Sequence, residues 1–179
     1  MSEIHLSKVT IHDIENLQKI GRQTFSETFA NENSEANMNK YLAEGFSTKK
    51  ISEEINNPNT EFYFALYNDH IVGYLKLNVG LAQSELQAYN GLEIERIYVL
   101  QKFQGQKIGQ ILFEKALQIA KHKEVDYIWL GVWEKNLKAI NFYKKNGFVE
   151  FDQHIFNLGN DEQIDIMMKL ILDDNFESP

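Results

Sequence analysis

Between Glu93 and Gly109 the chain reads Glu-Ile-Glu-Arg-Ile-Tyr-Val-Leu-Gln-Lys-Phe-Gln-Gly-Gln-Lys-Ile-Gly: two carboxylates on an apolar strand, then a segment punctuated by glycines. Glu93 and Glu95 stand two residues apart, so strand periodicity turns both to one face. A carboxylate pair placed in this way can hold a cation or accept a proton. Helical apolar spacing begins at Ile108, and the first turn of a helix carries N–H groups without intrahelical partners at the positive end of the macrodipole. Gly105 and Gly109 keep side chains out of the way there, which suits the turn to an anion such as a pyrophosphate. By spacing alone the same residues also fit a plain strand-to-helix turn, and the two glutamates also fit ion pairs with Arg96 or a nearby lysine.

Other chemistries find no residues to carry them. The chain has no cysteine, which excludes disulfides, thiolate metal ligands, a cysteine nucleophile and any acyl-cysteine mechanism. His5, His12, His70, His122 and His154 include no pair at metal-ligand spacing, so no metal is expected. There is neither a P-loop nor a G-x-S-x-G elbow. With 26 acidic against 18 basic residues the formal charge is −8, a field that opposes nucleic acid and favours cationic partners, although an acidic surface that keeps the chain soluble accounts for it as well. The N-terminus has no basic region followed by an apolar run, and no apolar segment is long enough to span a bilayer, so a cytoplasmic protein without a membrane partner is expected.

The segment Gln104-Gly105-Gln106-Lys107-Ile108-Gly109 resembles the Gln/Arg-x-x-Gly-x-Gly/Ala signature with which the GNAT superfamily of N-acetyltransferases holds the pyrophosphate of acetyl-CoA. Lys107 stands where the pattern has its first glycine; its side chain either adds a charge to the phosphates or points to solvent. The run from Asn136 to Phe148 resembles the second signature of that superfamily, an Asn-x-x-Ala-x-x-Phe-Tyr-x-x-x-Gly-Phe helix. Leu92 to Val99, Ile128 to Asn136, Thr24 to Phe29 and Tyr74 to Asn78 are similar to the spermidine/spermine acetyltransferases of the PaiA type, so the likeness covers nearly the whole chain.

The resemblance implies that acetyl-CoA is the co-substrate and that the acetyl group passes directly to a primary amine, with a polyamine such as spermidine or spermine expected as the small cationic partner. The alternatives are a protein N-terminus, a lysine or another small amine as acceptor, or an acyl-CoA-binding regulatory protein with little turnover, which the lysine at position 107 keeps open. A homodimer is also left open. By the same likeness Tyr143 is expected to protonate the thiolate of coenzyme A. Glu95 is expected first as the acceptor of the ammonium proton, with Glu93 beside it, one of the two binding the ammonium while the other accepts the proton through water; the base would need a pKa raised by burial. The likeness also implies cofactor contacts from the main chain of Ile97, Tyr98 and Val99, from Gln104, Gly105, Gln106, Lys107, Ile108 and Gly109, and from Asn136, Ala139, Tyr143 and Lys145. The strand ending at Val99 is expected to part from its neighbour after Gly131. Trp133 and Glu134, at the end of the next strand, are expected to line the acceptor site, where an ordinary sheet-end aromatic is the equal alternative.

The elements that must position these residues are read from periodicity and caps. Thr10 or Asp13 caps a first helix, Ser34 a second, and Ser47 a third that ends before Pro58. Phe25, Phe29, Tyr41 and Phe46 on these helices read as core. Phe62 to Tyr67 and Ile71 to Val79 form a hairpin, Gly80 to Gly91 a polar loop, and Glu93 to Val99 the strand that enters the glycine turn. A helix from Ile108 packs one apolar stripe on the sheet. Val125 to Trp133 is apolar enough for a strand buried on both faces in a parallel pairing. A helix over Leu137 to Lys145 stops at Asn146-Gly147, and strands at Phe148 to Phe156 and Gln163 to Leu172 finish the fold. The expected architecture is α/β, a mixed and mostly antiparallel sheet flanked by helices, with residues 1–172 as one domain and 173–179 as an acidic flexible tail.

Overall fold

A computed structural model describes residues 4–85, 90–159 and 161–172; the expected tail lies outside them. The chain runs through β1 (Ile4–Lys8), α1 (Ile14–Phe29), α2 (Glu35–Gly45), α3 (Thr48–Asn56), β2 (Thr60–Tyr67), β3 (His70–Val79), β4 (Gly91–Val99), α4 (Ile108–His122), β5 (Tyr127–Trp133), α5 (Leu137–Lys145), β6 (Val149–Leu158) and β7 (Asp161–Ile171). Ser34 and Ser47 cap α2 and α3 by accepting from the N–H groups of Asn37 and Lys50. Thr10 and Asp13 share the first start: they form a capping box around a short 3-10 turn, and α1 continues from it. Asn68 and Asp69, both at positive φ, make the two-residue turn between β2 and β3.

The strands form one seven-stranded sheet in the order β1-β2-β3-β4-β5-β7-β6. Every neighbouring pair is antiparallel except β4 with β5. The expected order of elements lacks β1, a five-residue edge strand whose pairing with β2 supplies what its short apolar pattern does not. The expected parallel pairing of β5 is with β4 and spans three residue pairs, while its other edge is antiparallel to β7 along its full length. Each face of the sheet carries its own core. Ile108, Leu112, Ala116, Ile140 and Tyr143 of α4 and α5 pack on one face, while Leu17, Phe25, Met38, Phe46 and Ile51 of α1 to α3 cover the other.

Candidate active site

The parallel pair is where the sheet opens. β4 and β5 are in register at Gly91 and Tyr127, Leu92 and Ile128, and Glu93 and Trp129, and then they part, two residues before the expected Gly131. Each is held by its other neighbour: β3 pairs with β4 as far as Val99, and β7 pairs with β5 as far as Trp133. A β-bulge adds to the divergence. Arg96 lies opposite Lys76 and Ile94 opposite Leu77, so Glu95 is the extra residue, and a bulge bends its strand and increases the local twist. Beyond Glu93 the edge of β4 that faces the fork has no strand partner, and Ile97, Tyr98 and Val99 present main-chain groups along it. A cleft of about 1350 Å³ occupies the fork.

At one end of the cleft stands the N-terminus of α4. The first of its amides to bond within the helix is that of Ile111, to the Lys107 carbonyl, so the N–H groups of Ile108, Gly109 and Gln110 precede the ladder. A Cβ built on Gly105 or Gly109 would meet no protein atom within 4 Å, so both glycines open onto free space. Lys107 adopts φ 63°, ψ 8°, the left-handed region, at a cost of roughly 1–2 kcal/mol for a residue with a Cβ. That geometry is the physical reason for a glycine at this place in the signature. The Gln104 amide ties the turn together, donating to the Val99 carbonyl at 3.1 Å and accepting from Lys138 Nζ at 2.7 Å. Bare amides with Lys107, Lys138 and Lys145 along the same cleft make a donor set that fits a diphosphate.

The opposite wall, on the α1 to α3 side, is a buried polar network. Asn78 Nδ2 donates to Glu93 Oε2 at 3.0 Å and to Glu95 Oε2 at 2.6 Å, which brings the two carboxylates together as strand periodicity implied. Glu93, only 3% exposed, also accepts from the backbone N–H of Ser84 at 2.9 Å and from the Ser84 hydroxyl. Glu95 meets Lys76 Nζ at 2.5 Å, and the same ammonium lies 3.0 Å from Glu54 Oε1. Arg96, set on this face by the bulge, stacks on Phe46 with its guanidinium carbon 4.6 Å from the ring centre, and its Nε lies 3.7 Å from Glu95 Oε1. The network pulls the two glutamates apart in acidity. Burial would raise the Glu95 carboxyl, but the charges of Lys76 and Arg96, with hydrogen bonds from Lys76 and Asn78, hold it at about 2. Burial raises the Glu93 carboxyl, against the bonds from Ser84 and Asn78 and with the charge of Glu95 acting in the same direction as burial. Of the two, Glu93 has the raised carboxyl and Glu95 the depressed one of an ion-pair partner, which runs against the expectation of Glu95 as the base.

Tyr143 lines the cleft from α5 with its ring held between Phe142 and Phe148, at centroid distances of 5.4 and 5.6 Å. Burial raises its phenol, so the group keeps its proton and can donate. Asn136 acts first as the cap of α5, its Oδ1 accepting from the Ala139 N–H at 3.2 Å, and both residues border the cleft, as does Lys145. Trp133 is buried against Phe29, 5.3 Å between centroids, and it contributes to the acceptor-side wall together with Phe25 and Tyr41. Two expected residues are not part of the cleft lining. Glu134 follows the end of β5 with its N–H bonded to the Ile164 carbonyl, and by alternation its side chain turns away from the wall that Trp133 forms. Gln106 sits exposed in the turn and is not among the lining residues either.

Sequence reasoning missed Asn78, Lys76 and Ser84, which come from other strands and a loop and carry no local signal. It also missed Glu85, His154 and Asp165, which line the cleft as well. His154 Nδ1 lies 3.5 Å from Glu85 Oε1, its Nε2 lies 3.8 Å from Asp165 Oδ2, and burial raises the Asp165 carboxyl to about 6. Gly131 makes room for this group, since a Cβ there would meet His154 Cε1 at 3.2 Å. Charges of both signs line the cleft: Lys107, Lys138, Lys145 and Glu114 belong to the glycine turn, α4 and α5, while Glu85, Glu93, Glu95 and Asp165, with Arg96 and Lys135, belong to other elements. Among the described residues no cluster has the makings of a metal site.

Residues 22–148 match the model of the acetyltransferase (GNAT) family. An uncharacterized N-acetyltransferase of Lactobacillus delbrueckii subsp. lactis is 40% identical over 172 residues, covering 96% of this chain and 99% of the relative. A spermidine N(1)-acetyltransferase of Thermoplasma acidophilum is 28% identical over 149 residues, 81% of this chain and 88% of that protein. Among solved structures, the PaiA N-acetyltransferase from Thermoplasma acidophilum in complex with coenzyme A superposes with a TM-score of 0.80 at 26% identity, covering 95% of this chain and 99% of that one.

Proposed function

The chain belongs to the GNAT family and is an acetyl-CoA-dependent N-acetyltransferase that acts on amine acceptors; from that premise we propose that its acceptor is a polyamine such as spermidine or spermine, acetylated at a primary amine by direct transfer. The observation that carries this reading is the group of carboxylates Glu85, Glu93, Glu95 and Asp165 in the same cleft as Lys107 and Lys138, which stand at the glycine turn. An anionic nucleotide and a cationic amine each find opposite charge in one fork. The relative named as a spermidine N(1)-acetyltransferase supports the same acceptor class. We take residues 1–172 as a single catalytic domain, working in the cytoplasm; no helix among the described residues is long and apolar enough to cross a membrane.

When bound, acetyl-CoA supplies the acetyl group as a thioester. The amides of Ile108, Gly109 and Gln110, with Lys107, Lys138 and Lys145 near them, bind the phosphates, and the unpaired edge of Ile97, Tyr98 and Val99 orients the thioester end. An alkylammonium of pKa about 10 must lose a proton before its nitrogen can attack. Glu93 accepts that proton. Its hydrogen-bonded Ser84 hydroxyl is the exposed end of its reach into the cleft. Glu95, held ionised by Lys76, supplies fixed negative charge for the ammonium. As the carbon–nitrogen bond forms and the carbon–sulfur bond breaks, Tyr143 gives its phenolic proton to the departing sulfur.

Free-thiol release from acetyl-CoA, measured with spermidine, spermine, a lysine peptide and no amine, tests the proposal. Release that depends on a polyamine and exceeds that with the peptide is expected. Faster release with the lysine peptide would overturn the polyamine assignment while leaving the transferase in place.

A further inference from the structure

Asn78 is 1% exposed and has each of its amide atoms in use. Its Oδ1 accepts from the Thr60 hydroxyl at 3.0 Å, and its single nitrogen donates to Glu93 and to Glu95, both within 3.0 Å. The orientation has one solution. Ionised carboxylates only accept, so the NH2 must face them, and the hydroxyl of Thr60 then donates to the remaining oxygen. Thr60 on β2 is paired with Asn78 on β3, and Asn78 with Glu93 on β4, so three adjacent strands place this chain of contacts without any loop.

We propose that Asn78, locked by Thr60, is a positioning residue for acetyl transfer: it fixes the Glu93 and Glu95 carboxylates side by side and keeps Glu93 ionisable beside its charged neighbour. The proposal rests on the reading of Glu93 as the proton acceptor. Two like charges on one small patch disfavour ionisation of the second, and a neutral double donor between them relieves this without taking a proton itself. The other charged and titratable groups on the elements packed about Glu93 include Lys76 and Tyr74 on β3, Arg96 and Tyr98 on β4, Glu54 on α3, Tyr41 on α2, Glu85 before β4, and His154 and Asp165 on the β6–β7 hairpin. Lys76 and Arg96 serve Glu95, which leaves Asn78 and Ser84 as the donors to Glu93.

The test is the pH profile of kcat/KM for amine-dependent thiol release in the wild type, Asn78→Ala, Thr60→Val and Glu93→Gln. Loss of a donor to the charged form raises its pKa, so the acid limb moves up by about one pH unit in Asn78→Ala. In Thr60→Val, which leaves the amide in place but frees it to turn, a smaller upward shift is expected. A merely structural role would scale the rate at every pH and leave the limb where it was. Should Asn78→Ala fail to fold, Thr60→Val carries the test, and titration of the side-chain carboxyl of Glu93 by carbon-13 NMR reads the same shift without turnover. Loss of the limb in Glu93→Gln with no displacement in Asn78→Ala or Thr60→Val would refute the role of Asn78 and leave the base assignment standing. Persistence of the wild-type limb in Glu93→Gln would refute the base assignment, and the role of Asn78 with it.

Discussion

Replacing Lys76 by methionine removes the one ammonium shared by Glu54 and Glu95 in a site that admits little water, the lysine side chain being 4% exposed. Methionine fills a similar volume and can still pack on Phe62, over whose ring the ammonium now sits. The loss is therefore electrostatic. Holding the Glu95 carboxyl at about 2 instead of 4.5 corresponds to about 3 kcal/mol of preference for its ionised form in the fold. Lys76 is the leading source of that preference. Breaking a buried pair by deleting one partner costs about 3–5 kcal/mol, and Arg96, which stays beside Glu95, sets the expectation at the lower end, about 3 kcal/mol. The direction of each pKa shift fixes the sign of the pH dependence. In the wild type a depressed carboxyl gives stability that is present above its unfolded pKa and lost as pH falls from about 4.5 toward about 2. In the variant Arg96 and Asn78 remain but Lys76 no longer offsets burial, so the Glu95 pKa moves up and the stability gained from its ionisation in that interval is largely lost. The difference between the two proteins should thus be about 3 kcal/mol near pH 7.5 and shrink to about 1 kcal/mol or less only at about pH 2.5, as pH approaches the folded value of about 2. Urea unfolding followed through the fluorescence of the buried Trp129 and Trp133 at both pH values measures it. A difference of under about 1 kcal/mol near pH 7.5, or one that does not change with pH, would refute the view that Lys76 compensates buried carboxylate charge.

Gly109→Ala separates the needs of the helix from those of the ligand. The added methyl meets no protein atom and improves helix propensity, so thermal unfolding of the free protein should show a gain of about 0.5–1 kcal/mol, while the KM for acetyl-CoA rises several-fold because the methyl occupies the approach to the α4 amides. Tyr143→Phe keeps the ring between Phe142 and Phe148 and removes only the hydroxyl. The expected outcome is a fall in kcat of about 10²-fold or more with little change in acetyl-CoA affinity measured by equilibrium binding, since the proton is needed as the sulfur departs.

The features that could be read in the sequence are those encoded within a single turn or helix. Gln104 to Gly109 and Asn136 to Gly147 carry their geometry locally: amides at a helix start, an asparagine cap, a glycine at positive φ. The departure at Lys107 from the glycine of the signature was legible too, but not the left-handed backbone that the lysine adopts there. What was not legible depends on register between strands. Nothing near Glu95 announces that it is the extra residue of a bulge, and strand alternation alone would have sent Arg96 to the opposite face. Asn78 and Lys76 lie 15 or more positions before the glutamates that they serve, so only pairing of β3 with β4 could assign them. The early β1 strand was invisible for a similar reason, being stabilised by its partner more than by its own pattern.

The bulge and the fork explain together why two glutamates so close in sequence do different work. Glu93 belongs to the last residue pair before β4 and β5 separate, where strands on both sides still cover it, and it is 3% exposed. Burial without a cationic partner raises its carboxyl. Glu95 lies just beyond, on a strand bent by its own extra residue, where Lys76 reaches it from β3 and Arg96 from the next position. One carboxyl is raised by burial, and the other is held as an anion by its cationic partners. The same divergence strips β4 of its second ladder from Ile94 onward and so exposes the main-chain groups of Ile97 to Val99. The proton transfer proposed for Glu93 and the backbone recognition proposed for Ile97 to Val99 therefore rest on one structural cause, the parting of a parallel pair after three residues.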